Sequence, residues 1–278
     1  GSLWRWGWSS VMVPEKLPVD DVYRVASSGG AFPYNYILRS DGGVDFYNTS
    51  WRLQKEDYLT GVRDLTGGAQ EYFYALKEDG TVWTWKNSDV PMQILGIQNV
   101  VKIVTSAKDV IMLTGTGEVY YASYDTDPKL LCTGAVGLEK NARLDSGYYN
   151  NLYTVEMPTQ FVVYNQYSPA RRVSKSAEGE QVNERRSFYI RDGIVYGKGD
   201  GSFGALGMGK ENVTVEEYTP LPGITNAEKV FLFADNTFVQ TADGKFYGMG
   251  RNYDRELADL TTESRYTPVC MSVGVPQN

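Results

Sequence analysis

Histidine is absent from the 278 residues. That removes Ser-His-Asp and Cys-His catalysis, imidazole general bases and every zinc site with a histidine ligand. Cysteine is almost absent as well: Cys132 and Cys270 are too few for a disulfide framework or a four-thiolate metal centre. No apolar run approaches the roughly 18 residues that a spanning helix needs, so membrane insertion is not expected of this stretch. Positive charge is in deficit, with 27 Lys and Arg against 34 Asp and Glu and a net charge of −7. An acidic chain without a basic stripe is a poor ligand for phosphate backbones, which disfavours nucleic acid as a partner. Gly1-Ser2 has the form of a cloning remnant, so a missing leader carries no weight about native targeting.

Aromatic residues are plentiful: 6 Trp, 21 Tyr and 10 Phe in a chain that is 42% apolar. Such a composition buries a sizeable core and excludes wholesale disorder. The length fits one large all-β domain as well as two small ones. Self-similarity decides between them. Short β-rich runs follow Asp-Gly-type turns at Asp41-Gly-Gly-Val-Asp-Phe-Tyr47, Asp79-Gly-Thr-Val-Trp-Thr-Trp85, Thr116-Gly-Glu-Val-Tyr-Tyr121, Asp192-Gly-Ile-Val-Tyr-Gly197 and Asp243-Gly-Lys-Phe-Tyr-Gly248. With Pro158-Thr-Gln-Phe-Val-Val-Tyr164 in phase, the starts at Gly42, Gly80, Gly117, Thr159, Gly193 and Gly244 lie 38, 37, 42, 34 and 51 residues apart.

Each turn is preceded by an alternating strand such as Tyr72–Lys77, and further upstream by a V-x-x-V-like strand such as Val22-Tyr-Arg-Val25 or Val62-Arg-Asp-Leu65. A fourth strand follows near proline, as at Pro91-Met-Gln-Ile94 and Thr267-Pro-Val269. Four strands repeating about every 40 residues, with no long amphipathic helix, predict propeller blades within a single domain. The units run approximately 3–18 (outer half only), 22–60, 61–98, 99–140, 141–170, 171–225 and 226–278. The expected fold is an all-β propeller of seven four-stranded blades, one incomplete, with six as the alternative.

Two units carry a specific signature. Tyr247-Gly-Met-Gly-Arg-Asn-Tyr-Asp-Arg-Glu-Leu257 with Tyr266-Thr-Pro-Val269 resembles regulator-of-chromosome-condensation repeats, as does Tyr196-Gly-Lys-Gly-Asp-Gly-Ser-Phe-Gly-Ala-Leu-Gly-Met-Gly209 with Tyr218-Thr-Pro220. The resemblance extends in weaker form over nearly the whole chain and implies a seven-bladed propeller. It also implies a non-enzymatic module that binds a protein, such as a small GTPase or, in bacterial inhibitors, a β-lactamase. A divergent bacterial or phage propeller, extracellular or on a cell surface, fits the resemblance better than the chromatin-bound type.

Other motifs read as parts of the repeat. Gly204-Ala-Leu-Gly-Met-Gly-Lys210 has the glycines and lysine of a phosphate-binding loop, but Glu211 stands where Ser or Thr would hold Mg²⁺, and no helix follows. Asp125 with Asp127, and Glu216 with Glu217, lie outside any oxygen-rich calcium-type loop. Neither a metal, a cofactor nor a catalytic residue is expected. Cys132 and Cys270 fall about three blades apart and are expected as free thiols in the core.

The aromatics are informative by position. Alternating strand direction puts the first-to-second and third-to-fourth loops of a blade on one rim, opposite the Asp-Gly turns. That rim collects Phe32, Tyr34, Trp51, Tyr72, Tyr124, Tyr148, Tyr149, Arg185, Arg186 and Tyr253. Tyr, Trp and Arg on rigidly held loops are typical hot-spot residues. A protein-binding face is the expectation. A carbohydrate-binding face, with aromatics stacked on sugar rings, is the alternative.

Overall fold

A computed structural model describes residues 1–271 apart from 8–10, 29–33, 68–70, 107, 146–147, 166–167, 178, 184 and 234. The described residues form one two-stranded and six four-stranded sheets, each a meander in chain order. The pair is Trp4–Gly7 with Val11–Lys16. The 22–59 sheet holds Val22–Ser27, Asn35–Arg39, Val44–Tyr47 and Leu53–Leu59. The 62–93 sheet holds Val62–Gly67, Tyr72–Lys77, Val82–Lys86 and Met92–Gln93. Next come Val100–Ser106, Asp109–Thr114, Val119–Ser123 and Lys129–Cys132. Gly137–Asp145, Tyr148–Glu156, Gln160–Asn165 and Ser168–Ser174 follow. The last two sheets are Gln181–Val182, Arg186–Arg191, Ile194–Asp200, Thr214–Pro220 and then Ala227–Leu232, Asn236–Thr241, Phe246–Gly250, Arg265–Cys270. Among the described residues helix is confined to short 3₁₀ pieces such as Ser202–Gly204, and none is long and apolar enough to cross a membrane.

The sheet read as starting at 141 starts at Gly137. Its first strand carries Lys140, Asn141 and Arg143 where the other units show a V-x-x-V pattern, so the pattern conceals the boundary. The Asp-Gly turns also divide into two kinds. Asp192 and Gly193, at φ 52° and 74°, form a two-residue hairpin loop of the type in which both residues are left-handed. The other four turns are one residue longer. In the 62–93 sheet Lys77 N donates to Thr81 O and Gly80 N to Lys77 O, and only Gly80 is left-handed. Gly42, Gly117 and Gly244 repeat this arrangement at φ 84°, 85° and 80°.

The chain packs as two compact units: residues 1–3, 17–140 and 145–172, and residues 4–16, 141–144 and 173–278. In the first, second strands are buried on both faces, and Tyr36, Phe73 and Trp85 of the first two four-stranded sheets share one aromatic cluster with Tyr58. The Tyr36 ring lies 4.6 Å from Phe73 and 5.1 Å from Trp85. Burial pushes the Tyr36 phenol well above its ordinary pKa, and its hydroxyl donates to Asn87 O at 2.6 Å. Tyr74 likewise reaches Lys108 O at 2.5 Å. The first three four-stranded sheets are therefore tied in series by buried rings with polar tips. First strands at Val22, Val62 and Val100 each carry a bulge one residue in. Just past the bulges stand Arg24, Asp64 and Lys102. Arg24 pairs with Asp64 at 2.5 Å, and Lys102 pairs with Glu139 of the following sheet. In the second unit, Phe188, Val195 and Leu206 of one sheet pack with Val230, Val239 and Met249 of the other.

Loop 251–264 in that unit is held from within. Asn252 is fully buried, accepts Leu257 N and donates to Asp259 Oδ1 at 2.9 Å. Burial pushes the Asp259 carboxyl up, but donors from Arg265, Thr261 and Asn252 outweigh it and hold its pKa below the ordinary value. Both cysteines end the outermost strand of a sheet; Cys132 is half-buried against a core cluster, whereas Cys270 is exposed rather than in the core.

Trp85→Ala should cost about 3–5 kcal/mol, read as a fall in urea midpoint at unchanged m-value. Asp259 stabilises the fold above its unfolded pKa of about 3.9, and that contribution disappears as pH falls through its lower folded value. Asp259→Asn should cost roughly 1–3 kcal/mol at pH 7 and flatten the loss of stability below about pH 4, measured by urea unfolding at pH 3, 5 and 7.

Candidate functional site

The first-to-second and third-to-fourth loops of a meander emerge at one end, and in four of the six four-stranded sheets described hydrogen bonds join the two ends. Asn87 N donates to Glu71 O (2.9 Å), Asp200 N to Arg185 O (3.0 Å) and Arg251 N to Asp235 O (3.0 Å). In the 22–59 sheet Asn35 Nδ2 donates to Asn48 O at 3.0 Å. The two loops of a sheet thus form one surface, as the alternating strand direction requires.

Within the first unit this surface brings together Tyr72 and Tyr124, from neighbouring sheets. Their ring centres are 5.4 Å apart and tilted by 57°. Lys86 Nζ lies 5.2 Å from the Tyr72 ring centre, a cation over an aromatic face. Both tyrosines are half-buried, and the carboxylates Asp89, Asp125 and Asp127 beside them in the sequence are exposed. Lys86 was not among the expected residues, although hairpin register gives it away: counting back from Gly80 sets it directly opposite Tyr72.

Tyr34 and Trp51 belong to the 22–59 sheet and are largely absorbed by packing. Tyr34 stacks on Phe46 at 5.8 Å. Trp51, left-handed at φ 57°, packs against Leu17, Val19 and Ile37. Phe32 lies outside the described residues. Tyr148 and Tyr149 open the strand Tyr148–Glu156, and their side chains lie outside the described part.

In the second unit Arg186 is not at the surface. It is 2% exposed, and its guanidinium donates to Asp200 O and Phe233 O, both at 3.2 Å. Burial, with neighbouring Arg185 adding to it, lowers its pKa to about 10. It acts as an internal strut between the Asp200 carbonyl of its own sheet and the Phe233 carbonyl of the next, and this removes it from any contact surface. Arg185 stays partly exposed, 3.8 Å from Asp235. Tyr253 is 57% exposed, with the Arg251 guanidinium 5.5 Å from its ring centre.

The phosphate-loop look-alike has its amides committed elsewhere: Gly204 N donates to Glu211 O and Gly209 N to Tyr266 O, both at 2.7 Å. Among the described residues no cluster of three His, Cys, Asp or Glu is arranged to hold a metal ion.

The sequence matches no family model and no curated protein. Its fold matches solved structures. Yeast RCC1 (Prp20) bound to Kap60 superposes with a TM-score of 0.72 at 12% identity, over 96% of this chain and 83% of that one. Prp20p from Saccharomyces cerevisiae, described with its binding properties to Gsp1p and histones, gives 0.71 at 12% identity over 95% and 82%. Human WBSCR16 gives 0.68 at 14% identity over 94% and 84%. At such identities the likeness is one of fold. The chain has the fold that its two signature loops imply, the β-propeller fold of these structures, with six four-stranded blades and one two-stranded blade among the described residues.

Proposed function

We propose that this chain is a non-enzymatic interaction module that binds a protein through the loop ends of its blades. The observation that carries the reading is the Tyr72–Tyr124 pair, with Lys86 over the Tyr72 ring, at the end of the 62–93 sheet where its two loops are hydrogen-bonded to each other. Rings held this way offer a rigid, partly exposed apolar surface with polar tips, and little side-chain entropy is lost when a partner covers it. The fold neighbours support the reading: yeast Prp20 is described bound to Kap60, and with binding properties to Gsp1p and histones. The absence of histidine, which leaves the chain without an imidazole acid or base, points the same way.

Affinity capture with the full chain, followed by calorimetry on the captured partner, tests this reading. Tyr72→Ala and Tyr124→Ala should each weaken binding by about 1–3 kcal/mol with an unchanged urea midpoint. Asp79→Asn, in a turn at the opposite end of its sheet, should leave binding as it was. Capture that ignores both tyrosines, or binding on a glycan array that depends on them, would overturn the protein-binding assignment.

A further inference from the structure

Five Asp-Gly steps occur in the chain, at 41–42, 79–80, 192–193, 200–201 and 243–244. Such a step carries a latent reaction of its own. The glycine nitrogen has no neighbouring Cβ to shield it and can attack the aspartate side-chain carboxyl one residue back, closing a five-membered ring. In a folded chain two conditions must hold. The amide must not be committed to a hydrogen bond, and the carboxyl must be free to turn onto it and to take up a proton.

Four of the five steps fail on both counts. Gly42 N donates to Arg39 O (3.2 Å), Gly80 N to Lys77 O (3.0 Å), Gly201 N to Val213 O (2.7 Å) and Gly244 N to Thr241 O (2.9 Å). Their carboxyls are held as well. Asp41 Oδ1 accepts Gly43 N and Asp79 Oδ1 accepts Thr81 N, both at 2.9 Å. Asp200 Oδ1 accepts Ser202 N at 2.8 Å, and Asp243 Oδ2 accepts Lys245 Nζ at 2.6 Å. The Gly43 amide, the Thr81 hydroxyl and amide, and the Lys245 ammonium hold Asp41, Asp79 and Asp243 below the ordinary carboxylate pKa. At Asp200 burial pushes the pKa up, but the Ser202 donors outweigh it and the value again lies low. The neutral acid, whose hydroxyl can leave, is scarce at all four.

Asp192-Gly193 meets both conditions. It is the two-residue hairpin loop, in which the closing bonds belong to Arg191 and Ile194 on either side, and among the described residues Gly193 N has no acceptor. Asp192 is exposed, and its carboxylate has no hydrogen bond or ion pair with a described residue. It is also left-handed at φ 52°, a conformation that holds an L-residue weakly.

We propose that Asp192-Gly193 is a site of spontaneous modification, at which the aspartate isomerises to isoaspartate and loosens the seam to the following sheet. Gly193 N bonds to Asp192 Cγ, the carboxyl hydroxyl leaves with the amide proton as water, and a succinimide forms. Water then adds to the main-chain carbonyl carbon of Asp192, the bond from that carbon to Gly193 N breaks, and the nitrogen regains its proton. The chain now runs through the Asp192 β-carbon, with its mass unchanged and an α-carboxylate set free. The added carbon shifts Gly193, whose carbonyl accepts Ala227 N at 2.9 Å from the first strand of the next sheet. A Cβ on Gly193 would stand only 3.0 Å from Asn226 Cα, so this contact has no slack to absorb the shift.

The test ages the full chain for weeks in mildly acidic buffer, with peptide mapping by electron-transfer mass spectrometry and labelling by an isoaspartyl methyltransferase. Isoaspartate should accumulate at Asp192 at least tenfold faster than at any of the other four aspartates. In denaturing urea all five should convert at similar rates, since the selectivity lies in the fold. Conversion should slow as pH rises further above the ordinary carboxyl pKa of about 3.9, because the neutral acid is the reacting form. The isomerised fraction, separated by chromatography, should melt about 2–4 °C below the parent. Asp192→Glu, which would need a six-membered ring, should take up no label at that place. Equal rates at the five steps of the folded chain, a preference for Asp192 that persists in urea, or an isomerised fraction that melts like the parent would overturn the proposal.

Discussion

Second strands in this protein are buried on both faces, and a sheet buried on both faces cannot be stable by itself. Tyr36 on one sheet, and Phe73 and the third-strand Trp85 on the next, are each essentially inaccessible to solvent because the two sheets cover one another. The hydrophobic gain thus belongs to pairs of sheets rather than to any one of them, as in other repeat architectures. The buried tyrosines add direction to this packing. A hydroxyl at the ring tip needs an acceptor, and Tyr36 and Tyr74 find theirs in loop carbonyls of the following sheet, Asn87 O and Lys108 O. Core packing and loop placement are therefore one constraint.

That constraint decides which loop aromatics remain available. Tyr34 and Trp51 have apolar neighbours within reach, Phe46 for one and the Leu17, Val19 and Ile37 group for the other, and burial against them is favourable. Tyr72 and Tyr124 lean on each other, with Tyr72 also resting on the core and under Lys86, and both stay half-buried rather than covered. Arg186 shows the opposite case, a residue placed at the rim whose side chain turns inward to satisfy carbonyls of two loops. Residue type and loop position were the same kind of signal for all of them.

The fold was legible because its signal is repeated: in-phase turns, V-x-x-V strands and two glycine-rich loops all point to blades. Strand Tyr72–Lys77 falls where its alternation puts it. The start at Gly137 escaped notice because that one strand is polar. Of the candidate site, the shared rim was legible from strand direction alone. Lys86 could have been found from hairpin register, as the residue facing Tyr72. The inward turn of Arg186 left no local mark. An arginine reads as exposed until the whole loop is in place.

The row of charged side chains near the start of the first strands has a consequence for how such a chain could change its number of repeats. Arg24, Asp64, Lys102 and Glu139 alternate in sign from one sheet to the next, and the pairs Arg24–Asp64 and Lys102–Glu139 use opposite partners. Removing the 62–93 unit alone would set Arg24 beside Lys102, like against like, where a favourable pair had been. Removing 62–93 and 100–132 together would set Arg24 beside Glu139 and keep the alternation. Exposed pairs of this kind are worth about 1 kcal/mol at most, so across these four sheets electrostatics adds a small preference for gain or loss of units in twos.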